Sequence, residues 1–251
     1  MAQGDLRTLI VGVWYTEVMK VAVVTGARQG LGLGFVTYLL GAGWKVFATT
    51  RIVDDSLPVH DNVKWLQLEV SSDDSISSAY TTIAEQTDSV DLLINNAGIN
   101  KDTATNNQKE KVSTLGFLDR EMLLEMFDVN SISPLLVTQT FLPLLKKDPA
   151  FVINLSSCRA SFHDEFENEL GNYGYRGSKI ALNMFTHCLT KDLPKHVKTF
   201  AVHPGTVRSQ MNPTGHDEPE QQAEKIIQII EQWNDEWNGA FMRYDGNLYP
   251  L

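Results

Sequence analysis

The sequence predicts a doubly wound α/β fold in a single domain, a parallel sheet with helices on both faces. Short apolar, β-branched runs alternate with helix-length segments along the chain. The first such run ends in a glycine-rich turn that opens a helix. No Pro/Gly/Ser-rich linker or internal repeat divides the 251 residues, 43% of them hydrophobic, which suffice for one sizeable core.

The elements follow in order. KVAVVTGA (20–27) is a buried strand, and LGLGFVTYLLGAG (31–43) has helical spacing and stops at glycines. KVFATT (45–50) and VKWLQLEV (63–70) are the next strands. SSDDSISSAYTTIAEQ (71–86) begins with Ser and Asp, which suit an N-cap and a first turn, and continues as a helix. VDLLINNAG (90–98) is a fourth strand, and a long helical region covers 119–146. FVINLSS (151–157) is a fifth strand, followed by a helix that the spacing starts at Tyr175 and carries to residue 193. KTFAVHPG (198–205) is a sixth strand, and PEQQAEKIIQIIEQWN (219–234) is an amphipathic helix before a short last strand. In such sheets ligands bind at the carboxyl ends of the strands.

Composition narrows the function. The formal net charge of -10, with no Lys/Arg cluster, repels phosphate backbones and argues against a nucleic-acid partner. Cys158 and Cys188 do not make a disulfide framework, and nothing has metal-ligand spacing. No apolar run approaches the roughly 18 residues a membrane span needs, and residues 6–15 lack the marks of a secretory signal. The expectation is a soluble cytoplasmic protein.

Three strand ends carry chemistry. Residues 25–32, T-G-A-R-Q-G-L-G, place Gly26, Gly30 and Gly32 between a strand and a helix. Glycine permits the tight turn and a close approach to a pyrophosphate, and the helix N-terminus offers its free N–H groups. The second strand ends FATTR, with no acid at its tip and Arg51 following, and Arg28 lies inside the glycine turn. Two cations suit the 2′-phosphate of NADP better than the free ribose of NAD, although Asp54 and Asp55 follow closely. Arg51 also reads as a solvated loop residue. In YGYRGSK (173–179), Tyr175 lies four residues before Lys179 and shares its helix face; Tyr173 lies six before it and precedes the expected helix. An ammonium beside a phenol favours the phenolate, which would bring Tyr175 toward use as a general acid/base.

Taken together and in order, these motifs resemble the short-chain dehydrogenase/reductase family, a Rossmann fold, from about residue 20 to the C-terminus. The 25–32 turn, with Thr25 and Leu31, resembles the family's Thr-Gly-x-x-x-Gly-x-Gly. Asn95-Asn96-Ala97-Gly98 matches its Asn-Asn-Ala-Gly. Asn130, Ser157, Tyr175 and Lys179 match its catalytic tetrad, and Pro204, Gly205, Thr206 and Val207 match a loop that commonly contacts the nicotinamide carboxamide. YGYRGSKIALNMFT, HPGTVRSQM and DGNLYPL are most similar to the C-factor and carbonyl-reductase-like group. The departures are Glu69 before Val70, where aspartate is usual near the adenine, Ser209 for a common threonine, and a longer gap from Ser157 to Tyr175, which leaves Ser156 as the alternative serine.

The resemblance implies an NADP(H)-dependent oxidoreductase, with NAD(H) second. Ser157 would bind the substrate carbonyl, Tyr175 would protonate it, and Lys179 would lower the tyrosine pKa and hold the nicotinamide ribose. Asn130 would order a water that links Lys179 to solvent. A homodimer or homotetramer is implied, and no metal. Residues 1–18 read as an upstream extension or a start-site artefact before a family-like start at Met19, with the domain over 19–251. The segment 162–170 is dense in carboxylates (Asp164, Glu165, Glu167, Glu169) and joins the serine strand to the tyrosine helix. Such charge disfavours anionic substrates and fits neutral carbonyls or alcohols; it also reads as a solvated loop. Cys158 and His203 read as packing and structural residues, and His163 as an outside pocket contact. C-factor-like members also admit a different role, a nucleotide-binding signalling or redox-sensor protein with little turnover.

Overall fold

The computed structural model describes residues 19–101, 115–163 and 171–251. Residues 1–18 and the carboxylates of 162–170 lie outside the described residues.

The sheet has seven parallel strands. They are β1 (Val21–Val24), β2 (Lys45–Thr50), β3 (Val63–Gln67), β4 (Leu92–Asn95), β5 (Ala150–Leu155), β6 (Val197–His203) and β7 (Phe241–Arg243). Their spatial order is β3-β2-β1-β4-β5-β6-β7. The winding direction reverses between β1 and β4, which opens a crevice at the carboxyl ends there. Every residue of β1, β4 and β5 is buried, as strands covered on both faces require.

Alternation divides β1 between two cores. Ala22 and Val24 join Phe35, Leu39, Ile226 and Ile227, beneath α1 (Gly30–Gly41) and α6 (Pro219–Glu231). Val21 and Val23 join Phe47, Ile76, Ile83 and Phe141, beneath α2 (Asp73–Ala84) and α4 (Ser133–Phe141). The expected capping of α2 is present: Ser72 Oγ accepts from Ser75 N at 3.3 Å, with Asp73 and Asp74 in the first turn.

Two elements differ from the sequence reading. The long region 119–146 is α3 (Arg120–Phe127), a π-helical turn (Asp128–Ile132), α4 and a 3₁₀ turn (Leu142–Leu144). The helix α5 (Tyr173–Asp192) starts two residues earlier than expected. Gly171 (φ 80°) and Asn172 (φ 59°) turn the chain into it through left-handed conformations. Gly174 is a poor helix former, yet a Cβ there would lie 2.1 Å from Met126 Cε, so close packing on α3 offsets its cost. Among the described residues no helix is long and apolar enough to cross a membrane.

Candidate active site

A cleft of about 1010 Å³ lies at the carboxyl ends of the strands, and the glycine turn, the β4 turn, the end of β5, α5 and the loop after β6 line it.

Thr25 and Asn96 stitch the β1 and β4 turns together. Thr25 Oγ1 accepts from Asn96 N and Ala97 N, both at 3.0 Å. Asn96 Nδ2 donates to Thr25 O at 2.9 Å and Gly26 O at 3.0 Å. Two glycines are required by this contact. Gly26 has φ 62°, and a Cβ on it would stand 2.8 Å from Ala97 Cα; a Cβ on Gly32 would stand 2.3 Å from Gly26 O. The N-terminus of α1 carries no acid in its first turn, and Gln29 makes no side-chain cap. With Gly30 and Leu31 it borders the cleft, an arrangement that can hold a phosphate.

At the end of β2 the expectation of two cations needs correction. Arg28 is committed: Nη1 donates to Ile52 O at 2.9 Å, and Nη2 donates to Asp54 Oδ2 at 2.8 Å and Ser56 Oγ at 3.0 Å. The hydrogen bond from Ser56, then that from Arg28, holds the Asp54 carboxyl down to about 2. Local acid therefore offsets one cation. Arg51 is exposed at the cleft and forms no ion pair among the described residues. Glu69 and Val70 border the cleft too; Ser71 Oγ donates to Glu69 Oε1 at 3.1 Å.

Ser157, Tyr175, Lys179 and Asn130 converge on the end of β5. Ser157 and Tyr175 share a side-chain hydrogen bond. Ser157 Oγ also accepts from Arg159 N at 3.2 Å, while the Oγ of Ser156 is buried with no partner among the described residues. This geometry favours Ser157 over Ser156. Lys179 is 4% exposed, and its Nζ donates to Leu155 O at 2.7 Å. Tyr173 is 50% exposed, so the early start of α5 does not bring it to the site.

The expected charge relation between tyrosine and lysine is not the dominant one. Burial pushes the Tyr175 phenol up, opposed by the Ser157 hydrogen bond, with Cys158 raising it and Arg159 lowering it. Burial brings the Lys179 ammonium down to about 8. The ammonium lies 5.9 Å from the Tyr175 ring centroid and donates a hydrogen bond to a backbone carbonyl, so desolvation outweighs attraction.

The Asn130 side chain is engaged by protein groups. It is fully buried in the π-helical turn. Its Oδ1 accepts from Ile99 N at 2.8 Å, and its Nδ2 donates to Ile99 O at 2.8 Å and Ser178 Oγ at 3.0 Å. Those bonds engage both amide protons, and the side chain ties the β4 turn to α5. Gly98 makes room: a Cβ there would lie 3.1 Å from Asn130 Oδ1 and 3.4 Å from Lys179 Nζ.

The loop after β6 completes the wall. Pro204, Gly205, Thr206 and Val207 all border the cleft. Thr206 N donates to Asp217 Oδ2 at 2.7 Å, and Gln222 Nε2 donates to Pro204 O at 2.9 Å. The sequence reading missed both side chains. Gln222 carried a signal, because it sits on the apolar stripe of α6, four residues before Ile226. His203 borders the cleft, and burial, with Arg243 nearby, holds its imidazole down to about 4, so it is neutral.

The geometry agrees with three comparisons. A family model described as short chain dehydrogenase matches residues 20–220. An uncharacterized oxidoreductase of Schizosaccharomyces pombe is 26% identical over 258 residues, which covers 92% of this chain and 98% of that protein. The NADPH-bound carbonyl reductase from chicken fatty liver superposes with a TM-score of 0.80 at 29% identity, covering 93% of this chain and 99% of that one. Carbonyl reductase Sniffer of D. melanogaster also gives 0.80, at 27% identity, covering 93% and 100%.

Proposed function

The chain belongs to the short-chain dehydrogenase family of oxidoreductases, and we propose that it is an NADPH-dependent reductase of neutral carbonyl compounds with Tyr175 as the proton donor. The observation that carries this reading is the hydrogen-bonded Ser157–Tyr175 pair in the cleft, with the Lys179 ammonium one helical turn on.

The residues fit a dinucleotide. The start of α1, with Gly30 and Gly32 and no acid in its first turn, suits the pyrophosphate. Arg51, exposed at the cleft, suits a 2′-phosphate, and the NADPH bound to the chicken carbonyl reductase supports that choice. Glu69 and Val70 would flank the adenine, Asn96, Ala97 and Gly98 the nicotinamide ribose, and residues 204–207 the carboxamide. When bound, the nicotinamide supplies the hydride.

Ser157 orients the substrate carbonyl oxygen by a hydrogen bond. Tyr175, kept protonated by burial, donates its hydroxyl proton to that oxygen as negative charge develops there. Lys179, still largely protonated at pH 7, binds the ribose hydroxyls and stabilises the phenolate that the transfer leaves behind. Asn130 holds the 98–99 backbone and Ser178 in register around that lysine. The carboxylates of 162–170 support a neutral substrate.

The test is NADPH consumption by purified protein over a panel of quinones, aldehydes and ketones. Turnover with at least one is expected. Tight NADPH binding with silence across the panel would sink the reductase reading and favour a nucleotide sensor.

A further inference from the structure

The first turn of α6 packs behind two elements that line the cleft, α1 and the β6 loop. Toward the glycine turn, it abuts α1: a Cβ on Gly34 would stand 2.5 Å from the Pro219 carbonyl. Toward the β6 loop, Gln222 Nε2 donates to Pro204 O at 2.9 Å. Just before the helix, Asp217 Oδ2 accepts from Thr206 N at 2.7 Å, and the amides of His216 and Asp217 donate to Thr206 O at 3.0 and 3.1 Å. Gly205, at φ 87°, is required between these anchors. A Cβ on it would lie 2.5 Å from Gln222 Nε2 and 2.7 Å from Asp217 Oδ2.

The orientation of the Gln222 amide is fixed from behind. Lys225 can only donate, and its Nζ lies 2.8 Å from Gln222 Oε1. The amide protons must then face Pro204. Gln222 is 1% exposed and does not border the cleft. A buried amide on an apolar helix stripe is costly unless both its ends are bonded, and here both are.

We propose that Gln222 is a positioning residue for the nicotinamide half of the cofactor. It acts through Pro204, with Asp217 acting through Thr206. Because α6 also packs on α1, its first turn sets the separation between the loop at 204–206 and the pyrophosphate-binding turn, so that one dinucleotide meets both. The inference rests on the NADPH reading above.

Two substitutions test it. Gln222→Leu keeps an apolar packing stem and removes the donor to Pro204. Gln222→Glu keeps an acceptor for Lys225 and sets a carboxylate oxygen against the Pro204 carbonyl. Dissociation constants are measured by calorimetry on the full chain for NADPH and for adenosine 2′,5′-bisphosphate, which has the 2′-phosphate and no nicotinamide. Both variants should weaken NADPH about 5- to 30-fold, the scale of one lost buried hydrogen bond, and leave the bisphosphate within about two-fold. A merely structural role moves both ligands together, and that result overturns the proposal, as does no change in either. A variant that melts below the assay temperature is replaced by Gln222→Met, with the same two outcomes. If the wild type prefers no 2′-phosphorylated ligand, the NADPH reading falls, and NADH against adenosine monophosphate then decides the role of Gln222 by the same comparison.

Discussion

Lys179 keeps a charge where burial opposes it, and that cost is measurable. Its pKa falls from 10.5 to about 8 through desolvation. The folded chain therefore binds fewer protons than the unfolded chain between those values, and stability rises with pH across that window. Below about pH 8 the full penalty applies. Its size follows from the shift, at about 1.4 kcal/mol per pKa unit, as roughly 3 kcal/mol. Lys179→Met removes the penalty and leaves Leu155 O without its 2.7 Å donor, a loss of about 1 kcal/mol. At pH 7 the variant should then be the more stable by roughly 2 kcal/mol, or about 4–8 °C in melting temperature for a chain of this size. The advantage should shrink as pH rises from 8 toward 10, because the wild type loses its buried charge and the variant has none to lose. The Tyr175 phenol, pushed up by burial, stays protonated in both folded proteins across this range, so it does not enter the difference. The assay is thermal melting of both proteins at several pH values from 7 to 10. A gap that stays constant, or a variant less stable throughout, would refute the reasoning. A buried charge kept at the expense of stability is the physical mark of a functional group.

Other consequences are as direct. Arg51→Asp removes a phosphate partner and adds repulsion, so NADPH affinity should fall at least about tenfold more than NADH affinity in parallel titrations; equal losses would mean that Arg51 serves only solvent. His203 has a folded pKa of about 4 against an ordinary 6.5, so the stability it contributes is complete above pH 6.5 and is lost as pH falls toward 4. Melting temperature should therefore drop more steeply across that window in the wild type than in His203→Gln, and parallel curves would show that His203 is hydrated in the fold.

The fold was legible because its strands are short, β-branched runs buried on both faces, and because the 25–32 turn demands glycine in a recognisable pattern. The C-terminal ends of β1, β3, β4, β5 and β6 were read two or three residues long, since residues such as Leu68, Glu69 and Val70 after β3 continue the run in sequence but leave the sheet. The start of α5 was hidden because Gly174 argues locally against a helix, and only its packing on Met126 favours one. Arg28 looked like a phosphate ligand because its partner Asp54 stands 26 residues away, a distance that only the β2–β3 loop closes. The Tyr175–Lys179 spacing was readable from helical periodicity. The direction of the Tyr175 shift was not, because it depends on how completely the neighbouring elements exclude water. Gln222 shows the same limit: a polar residue on an apolar stripe marks something, and only the Pro204 carbonyl says what.

The central claim is that Tyr175, and not its neighbour Tyr173, delivers the proton. Turnover of Tyr175→Phe and Tyr173→Phe on one carbonyl substrate, at saturating NADPH and with cofactor affinity measured alongside, tests it most directly. Tyr175→Phe removes one hydroxyl from a buried ring, so NADPH should bind within about two-fold of wild type while turnover falls by ~10²-fold or more, the scale of losing a positioned general acid. Tyr173→Phe alters a half-exposed ring at the helix start and should keep turnover within about two-fold. Full activity in Tyr175→Phe, or the larger loss in Tyr173→Phe, would contradict the account.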